Sequence, residues 1–274
     1  MNSPRTIFSI AAALILCLWT GAADARAPEV RNINVRGLQV SGTTTLILDG
    51  VELLPAPRVF VDGNAVEAVV DPSSTATRLV VAIKLVDQIV PGVAQLRVAT
   101  ADGFSNSSLV AIDRLPQVLF AEQVAALPSA LHGTIGGSVT VRTMFSGKAG
   151  EDVIIEAEAR RLGSKLRPVL HVFDAKRLQI AWASPTSTLS GDARLRLKLP
   201  ADGTYSIELH DAQYAPPGPG FFRLKVFRRQ RRQQCRRLVG AGQQLHALGR
   251  HDRLAGQCLR RPEPASPGHR GRAA

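Results

Sequence analysis

Between Glu156 and Val226 the chain repeats one pattern: short runs of alternating apolar and polar residues, broken by clusters of turn formers. Alternation at period two puts one side of each run in a core and the other in solvent, which is the period of a strand and not of a helix. Leu199-Pro200-Ala201-Asp202-Gly203-Thr204-Tyr205 is a turn feeding such a run, and a second tyrosine, Tyr214, follows Asp211-Ala212-Gln213. The pattern marks a compact antiparallel β module.

The chain of 274 residues has room for one large domain or two small ones. With aromatics at 5% of a chain that is 45% hydrophobic, its cores must be filled by Val, Leu, Ile and Ala. A net charge of +12 suggests a polyanion partner, but the charge is local. From Arg228 onward there are 12 Arg and two acids, Asp252 and Glu263, which leaves 22 basic against 20 acidic residues elsewhere.

The N-terminus reads as an export signal. Arg5 precedes an apolar run from Ile7 to Trp19, and Ala23-Asp24-Ala25 suits cleavage after Ala25. About 13 apolar residues are too few to span a bilayer, so no membrane span is expected after cleavage. Cys17 leaves with the signal, and Cys235 and Cys258 lie in the tail. The body from Arg26 to Val226 has no cysteine and must stand on packing alone.

Residues 28–113 predict seven strands, from Val30–Val35 to Ser108–Ile112, separated by Gly, Asn and Asp turns such as Asp62-Gly63-Asn64 and Asp102-Gly103. Strands at this spacing indicate a β-sandwich. The run Pro91-Gly92-Val93-Ala94-Gln95-Leu96-Arg97-Val98, followed by Thr100-Ala101-Asp102-Gly103-Phe104-Ser105-Asn106, resembles the closing strands of the IPT/TIG immunoglobulin-like family. The usual opening of that family is replaced here by Val35-Arg36-Gly37-Leu38. Residues 114–133 read as a packed connection, too apolar to be a disordered linker.

A second β module is expected over 134–226, with strands that include Asp152–Ala159, Pro168–Asp174, Gln179–Ser184, Ala193–Lys198 and Gly220–Val226. Gly150-Glu151-Asp152-Val153-Ile154-Ile155-Glu156-Ala157, Asp202-Gly203-Thr204-Tyr205 and Phe222-Arg223-Leu224 resemble the bacterial pre-peptidase C-terminal domain. That resemblance implies a jelly-roll-like sandwich. The two modules in this order are similar to exported, often multidomain proteins of planctomycete-type bacteria. The expected fold class is therefore all-β, with an immunoglobulin-like and then a jelly-roll-like sandwich. The tail, 227–274, is different material, with Val239 as its one β-branched residue from Arg228 onward. It reads either as a disordered basic tail or as an out-of-frame translation.

No catalytic signature is present: there is no G-x-S-x-G, H-E-x-x-H, Walker loop or C-x-x-C. Ser164, His171 and Asp174 can be assembled on paper into a triad, but a triad is a matter of geometry. Cys235, His246, His251 and Cys258 have no usual zinc spacing. Asp174, Asp192, Asp202 and Asp211, near strand ends, pose the question of calcium. Tyr205, with Asp202 and Gly203, resembles a tyrosine corner, a structural device in which the phenol bonds upstream backbone. Tyr214 is different: it precedes Pro216-Pro217-Gly218-Pro219-Gly220 on a loop, where sandwiches bind. Trp182 joins it if the strands fold back suitably.

These readings predict an exported, non-catalytic accessory, adhesion or binding module with no cofactor and no nucleic-acid partner. Its expected partner is an extracellular or cell-envelope polymer or protein. The alternatives are a carbohydrate- or protein-binding site near Tyr214 and polyanion binding through the Arg-rich tail.

Overall fold

In the computed structural model, which describes residues 26–229 apart from 137, 215–217 and 219, every regular element is a strand except two single 3-10 turns, Arg160–Leu162 and Ser187–Leu189. The first ten strands are β1 (Glu29–Ile33), β2 (Gly37–Gln39), β3 (Thr43–Val51), β4 (Arg58–Val61), β5 (Asn64–Ala65), β6 (Glu67–Val70), β7 (Arg78–Lys84), β8 (Gly92–Thr100), β9 (Gly103–Phe104) and β10 (Ser108–Asp113). One sheet has the order β1-β3-β7-β6, and the facing one β2-β10-β8-β4-β5 with β9 paired to β8. Leu46 and Leu48 of β3, Leu79, Val81 and Ile83 of β7, and Leu96 and Val98 of β8 point inward and form one core. Asn106 closes this sandwich: its carboxamide accepts the Val30 N–H and donates to the Val30 carbonyl, both at 2.8 Å.

The second set comprises β11 (Gln117–Leu119), β12 (Ser129–Ile135), β13 (Val141–Gly147), β14 (Asp152–Glu158), β15 (Pro168–Phe173), β16 (Gln179–Ala183), β17 (Ala193–Lys198), β18 (Gly203–Asp211) and β19 (Gly220–Arg228). The sheets run β11-β12-β19-β14-β17 and β13-β18-β15-β16. In β17, Ala193, Leu195 and Leu197 are buried while Arg194, Arg196 and Lys198 are exposed, the alternation that its sequence dictates. A second core, built around Leu131, Phe145, Ile155, Leu170, Ile207 and Leu224, is separate from the first.

Two strands, β11 and β12, occupy the segment read from sequence as a connection. β12 lies between β11 and β19 and is buried on both faces, with Leu131 toward the core and His132 toward the first sandwich. A strand covered on both sides shows no alternation, so its sequence carries no strand signal. β2 was also not anticipated. It has three residues, begins at Gly37 and pairs in parallel with β10.

The described residues belong to one compact unit, and buried polar groups join its two sandwiches. Arg223 of β19, fully buried, donates to Glu158 at 2.6 Å, to Asp113 at 2.6 Å and to Gln117 Oε1 at 3.2 Å. His132 Nδ1 accepts the Arg36 backbone N–H at 3.1 Å, so its Nε2–H donates to Gln117 Oε1 at 2.9 Å. The Arg36 guanidinium lies 3.6 Å from the centre of the Phe221 ring. A β-carbon on Gly37 would collide with the Gln117 carboxamide, so glycine lets the two halves close here. Burial pushes His132 well below the usual imidazole range, and the charges of Arg223 and Arg36 push it further. Burial brings Arg36 down to about 10. Burial also opposes ionisation of Glu158, but Arg223 and Lys225 outweigh it and the carboxyl is held below its ordinary value.

Candidate functional site

The outer face of the β13-β18-β15-β16 sheet carries the residues of chemical interest. Leu170, Val172, Ile207 and Leu209 fill the core side of β15 and β18, so the intervening residues face outward. Cross-strand register pairs His171 with Trp182 on one side and with Glu208 on the other. His210, one pleat beyond Glu208, lies beneath Tyr214. Their rings stack with centroids 4.2 Å apart and planes within 9°. The His171 ring lies 5.2 Å from that of His210. Tyr214, His210, His171 and Trp182 thus follow one another in a row, the last step being a cross-strand pair. Tyr214 is 50% exposed and Trp182 60% exposed, while His210 is buried.

The row is held in place from below. The buried Asp211 carboxylate accepts the Arg167 N–H at 2.8 Å and the Gln213 N–H at 2.9 Å, and the Tyr214 N–H closes the turn onto the Asp211 carbonyl at 3.0 Å. This turn leaves Tyr214 at φ +52°, a left-handed conformation unusual for an aromatic residue. Its hydroxyl lies 3.1 Å from His210 Nε2. His210 Nδ1–H donates to the Asp211 carbonyl at 2.8 Å, and His171 Nδ1 faces Gln179 Oε1 at 2.8 Å. Beside the row, Glu208 bridges Arg142 at 2.8 Å and Arg177 at 3.1 Å.

The other residues singled out from the sequence lie apart from this row and have structural partners. The buried Tyr205 phenol donates to the Ala201 carbonyl at 2.6 Å and accepts the Ala201 N–H at 3.3 Å. Asp202 accepts the Ala149 N–H at 2.7 Å, and Gly203 opens β18 opposite Gly147. Ser164, His171 and Asp174 do not assemble. Ser164 Oγ accepts the Leu166 N–H, and Asp174 accepts the N–H groups of Lys176 and Leu178, both at 2.9 Å. The four aspartates weighed for calcium do not converge either. Asp192 is fully buried and binds the N–H groups of Ala159 and Arg160 and the Arg161 guanidinium, the last at 2.7 Å. Among the described residues no group of three or more His, Cys, Asp or Glu is placed to hold a metal. The segment read from the sequence as an export signal, Cys235, His246, His251 and Cys258 lie outside the described residues, within which no helix is long and apolar enough to cross a membrane.

Sequence reasoning missed His210 and gave His171 only a place in the paper triad. Both occupy outward positions of alternating strands, which the period could show. Which neighbours they meet is set by register, and no local pattern carries that. A depression of about 510 Å³ lies on the first sandwich, lined by Phe60, Asp62, Gly63, Gln95, Arg97 and Phe104.

No family profile matches the sequence, and none of the curated proteins matches it. Several solved structures are similar to parts of the chain at low identity, among them the following. The pre-peptidase C-terminal domain of a Bacillus anthracis collagenase is 15% identical, with a TM-score of 0.32, over 39% of this chain and 95% of that one. A periplasmic inhibitor of g-type lysozyme from Salmonella Typhimurium is 12% identical, with a TM-score of 0.30, over 41% of this chain and 98% of that one. A mixed-linkage glucan utilization locus protein of Bacteroides ovatus, solved with a mixed-linkage heptasaccharide, is 9% identical, with a TM-score of 0.27, over 73% of each chain.

Proposed function

We propose that this chain is an exported, non-catalytic binding module working beside extracellular or cell-surface enzymes. Its ligand is an extended glycan lying along the row from Tyr214 to Trp182. The observation that supports this reading is the ordered exposure of two large rings, one on a strained turn and one on a strand, on a single sheet face. Exposed aromatic faces of this kind suit the C–H faces of sugar rings, while Glu208, Gln179 and Arg142 border the row with groups that bond hydroxyls. The apolar run from Ile7 to Trp19, with cleavage expected after Ala25, supports the location, and the similarity of the second sandwich's motifs to the pre-peptidase C-terminal family supports the accessory role.

The test is titration of the full chain with soluble glycans of varied linkage. Saturable binding is expected, weakened about tenfold by either Trp182→Ala or Tyr214→Ala, as for loss of one ring contact. Binding unchanged in both variants, or no binding to any glycan, would reject the site.

A further inference from the structure

The first sandwich carries an aromatic and charged cluster of its own, on the outer face of the sheet that holds β4, β8 and β9. Phe60 of β4 lies opposite Arg97 of β8. Ala99, one pleat further along β8, lies opposite Arg58 on one side and Phe104 of β9 on the other. The Phe60 and Phe104 rings meet edge to face, with centroids 5.1 Å apart. Phe104 is nevertheless 55% exposed, and its neighbour fixes it there. The Ser105 N–H donates to the Val98 carbonyl at 2.7 Å, and the Ser105 hydroxyl accepts the Val98 N–H at 2.9 Å. A ring already ordered in water loses little further freedom when a ligand covers it.

The charge around these rings is graded along the strands. At one end are Arg58 and Arg97, neither of which has a carboxylate partner among the described residues. The Arg58 guanidinium lies 5.7 Å from the centre of the Phe60 ring. At the other end Asp62 turns out of β4 at φ +47°, and one oxygen of its carboxylate accepts the Gln95 N–H at 2.8 Å. Gln95 Oε1 accepts the Ser107 hydroxyl at 3.1 Å, which leaves the Gln95 amide N–H groups without a partner among the described residues. The depression of about 510 Å³ lies among these side chains. β8 has a paired neighbour on each side, so this face offers no free backbone to an extended peptide, and a ligand must be read by side chains.

These groups select a ligand by its parts. Phe104 offers a flat apolar face. The Arg97 guanidinium suits a carboxylate, which it can bind through two parallel N–H bonds, and Arg58 adds attraction. Gln95 and the second Asp62 oxygen suit hydroxyls. Asp62 also disfavours a carboxylate at its own end, which sets the direction in which the ligand lies. A sugar acid combines a C–H face, one carboxylate and several hydroxyls in a single ring.

We propose that this depression is a second binding site, for the hexuronate units of an acidic polysaccharide. The sugar face covers Phe104, the carboxylate meets Arg97, and hydroxyls meet Gln95 and Asp62. The site shares no residue with the row from Tyr214 to Trp182 and does not depend on that reading.

The experiment titrates the full chain with trimers of galacturonate and of mannuronate, each as the acid and as its methyl ester. Saturable binding of at least one acid is expected, about tenfold or more tighter than its ester and weakened by added salt. Arg97→Gln and Phe104→Ala should each weaken it about tenfold. Arg97→Lys should fall between parent and Arg97→Gln, since it keeps the charge and loses the fork. Both side chains are exposed, and urea midpoints of the variants show that the sandwich survives. Trp182→Ala should leave binding of the acid unchanged, so the two readings fail separately. Binding that survives both Arg97→Gln and Phe104→Ala belongs to the Arg-rich tail and overturns the proposal. So does equal binding of acid and ester, or no binding of either acid. A tetraglutamate peptide that binds more tightly than the sugar acids, and is lost in the same two variants, overturns it in favour of an acidic protein.

Discussion

Arg223, on the last strand of the second sandwich, donates to Asp113, at the end of the last strand of the first, at 2.6 Å. The two residues are 110 positions apart, and the same guanidinium holds Glu158 of its own sheet. A fully buried cation shared by two carboxylates and a carboxamide ties the sandwiches together, because losing either carboxylate would leave buried charge uncompensated.

Replacing Arg223 by Ala should therefore destabilise the protein by about 3–5 kcal/mol, the range for breaking a buried ion pair. Urea unfolding of the parent should show one transition. The variant should show two, since each half keeps its own core. A single transition with an unchanged midpoint would count against the coupling.

Stability should fall with acid through His132. Its folded pKa is depressed, so between that value and the ordinary 6.5 the unfolded chain binds the extra proton and unfolding is favoured as pH drops. The loss begins as pH falls through 6.5 and approaches about 1.4 kcal/mol per pH unit. Glu158, also depressed, adds a loss only at lower pH, below the ordinary 4.5. Urea midpoints measured between pH 7.5 and pH 5 should show this slope in the parent and not in His132→Gln.

Tyr214 separates binding from stability. At φ +52° a side chain costs about 1 kcal/mol more than glycine. Tyr214→Gly should thus be about 1 kcal/mol more stable than Tyr214→Ala, and both should lose glycan binding alike. Equal stabilities would show that the turn relaxes.

Tyr205→Phe removes a phenol bond to Ala201 at a sandwich edge. Thermal melting should report a loss of about 1 kcal/mol, with glycan binding unchanged.

Thr143 sits fully buried on the core face of β13, and its hydroxyl has no hydrogen-bond partner among the described residues. Thr143→Val should raise stability by about 1 kcal/mol, since a buried hydroxyl without a partner costs that much or more. A lower urea midpoint would mean that the hydroxyl is satisfied.

Much of the fold was legible locally. Arg58–Val61 and Ala193–Lys198 are strands with the very bounds that alternation predicts, because a half-exposed strand must write its two environments into adjacent residues. Tyr214 and Trp182 were legible as exposed rings on a loop and a strand. β12 was not, since burial on both faces erases the alternation, and its His132 looks like a polar break in a connection.

From the amino-acid sequence alone came the all-β class, the turns, most strands and the concentration of charge beyond Arg228, all of which depend on neighbours a few residues apart. Tertiary structure decided what no local pattern encodes. The register of β15 with β16 and β18 set His171 beside Trp182 and Glu208, and the Asp211 turn folded Tyr214 over His210. Arg223 and Asp113 met only because two finished sandwiches packed together. Such contacts join residues tens of positions apart, so they exist only once the strands have paired.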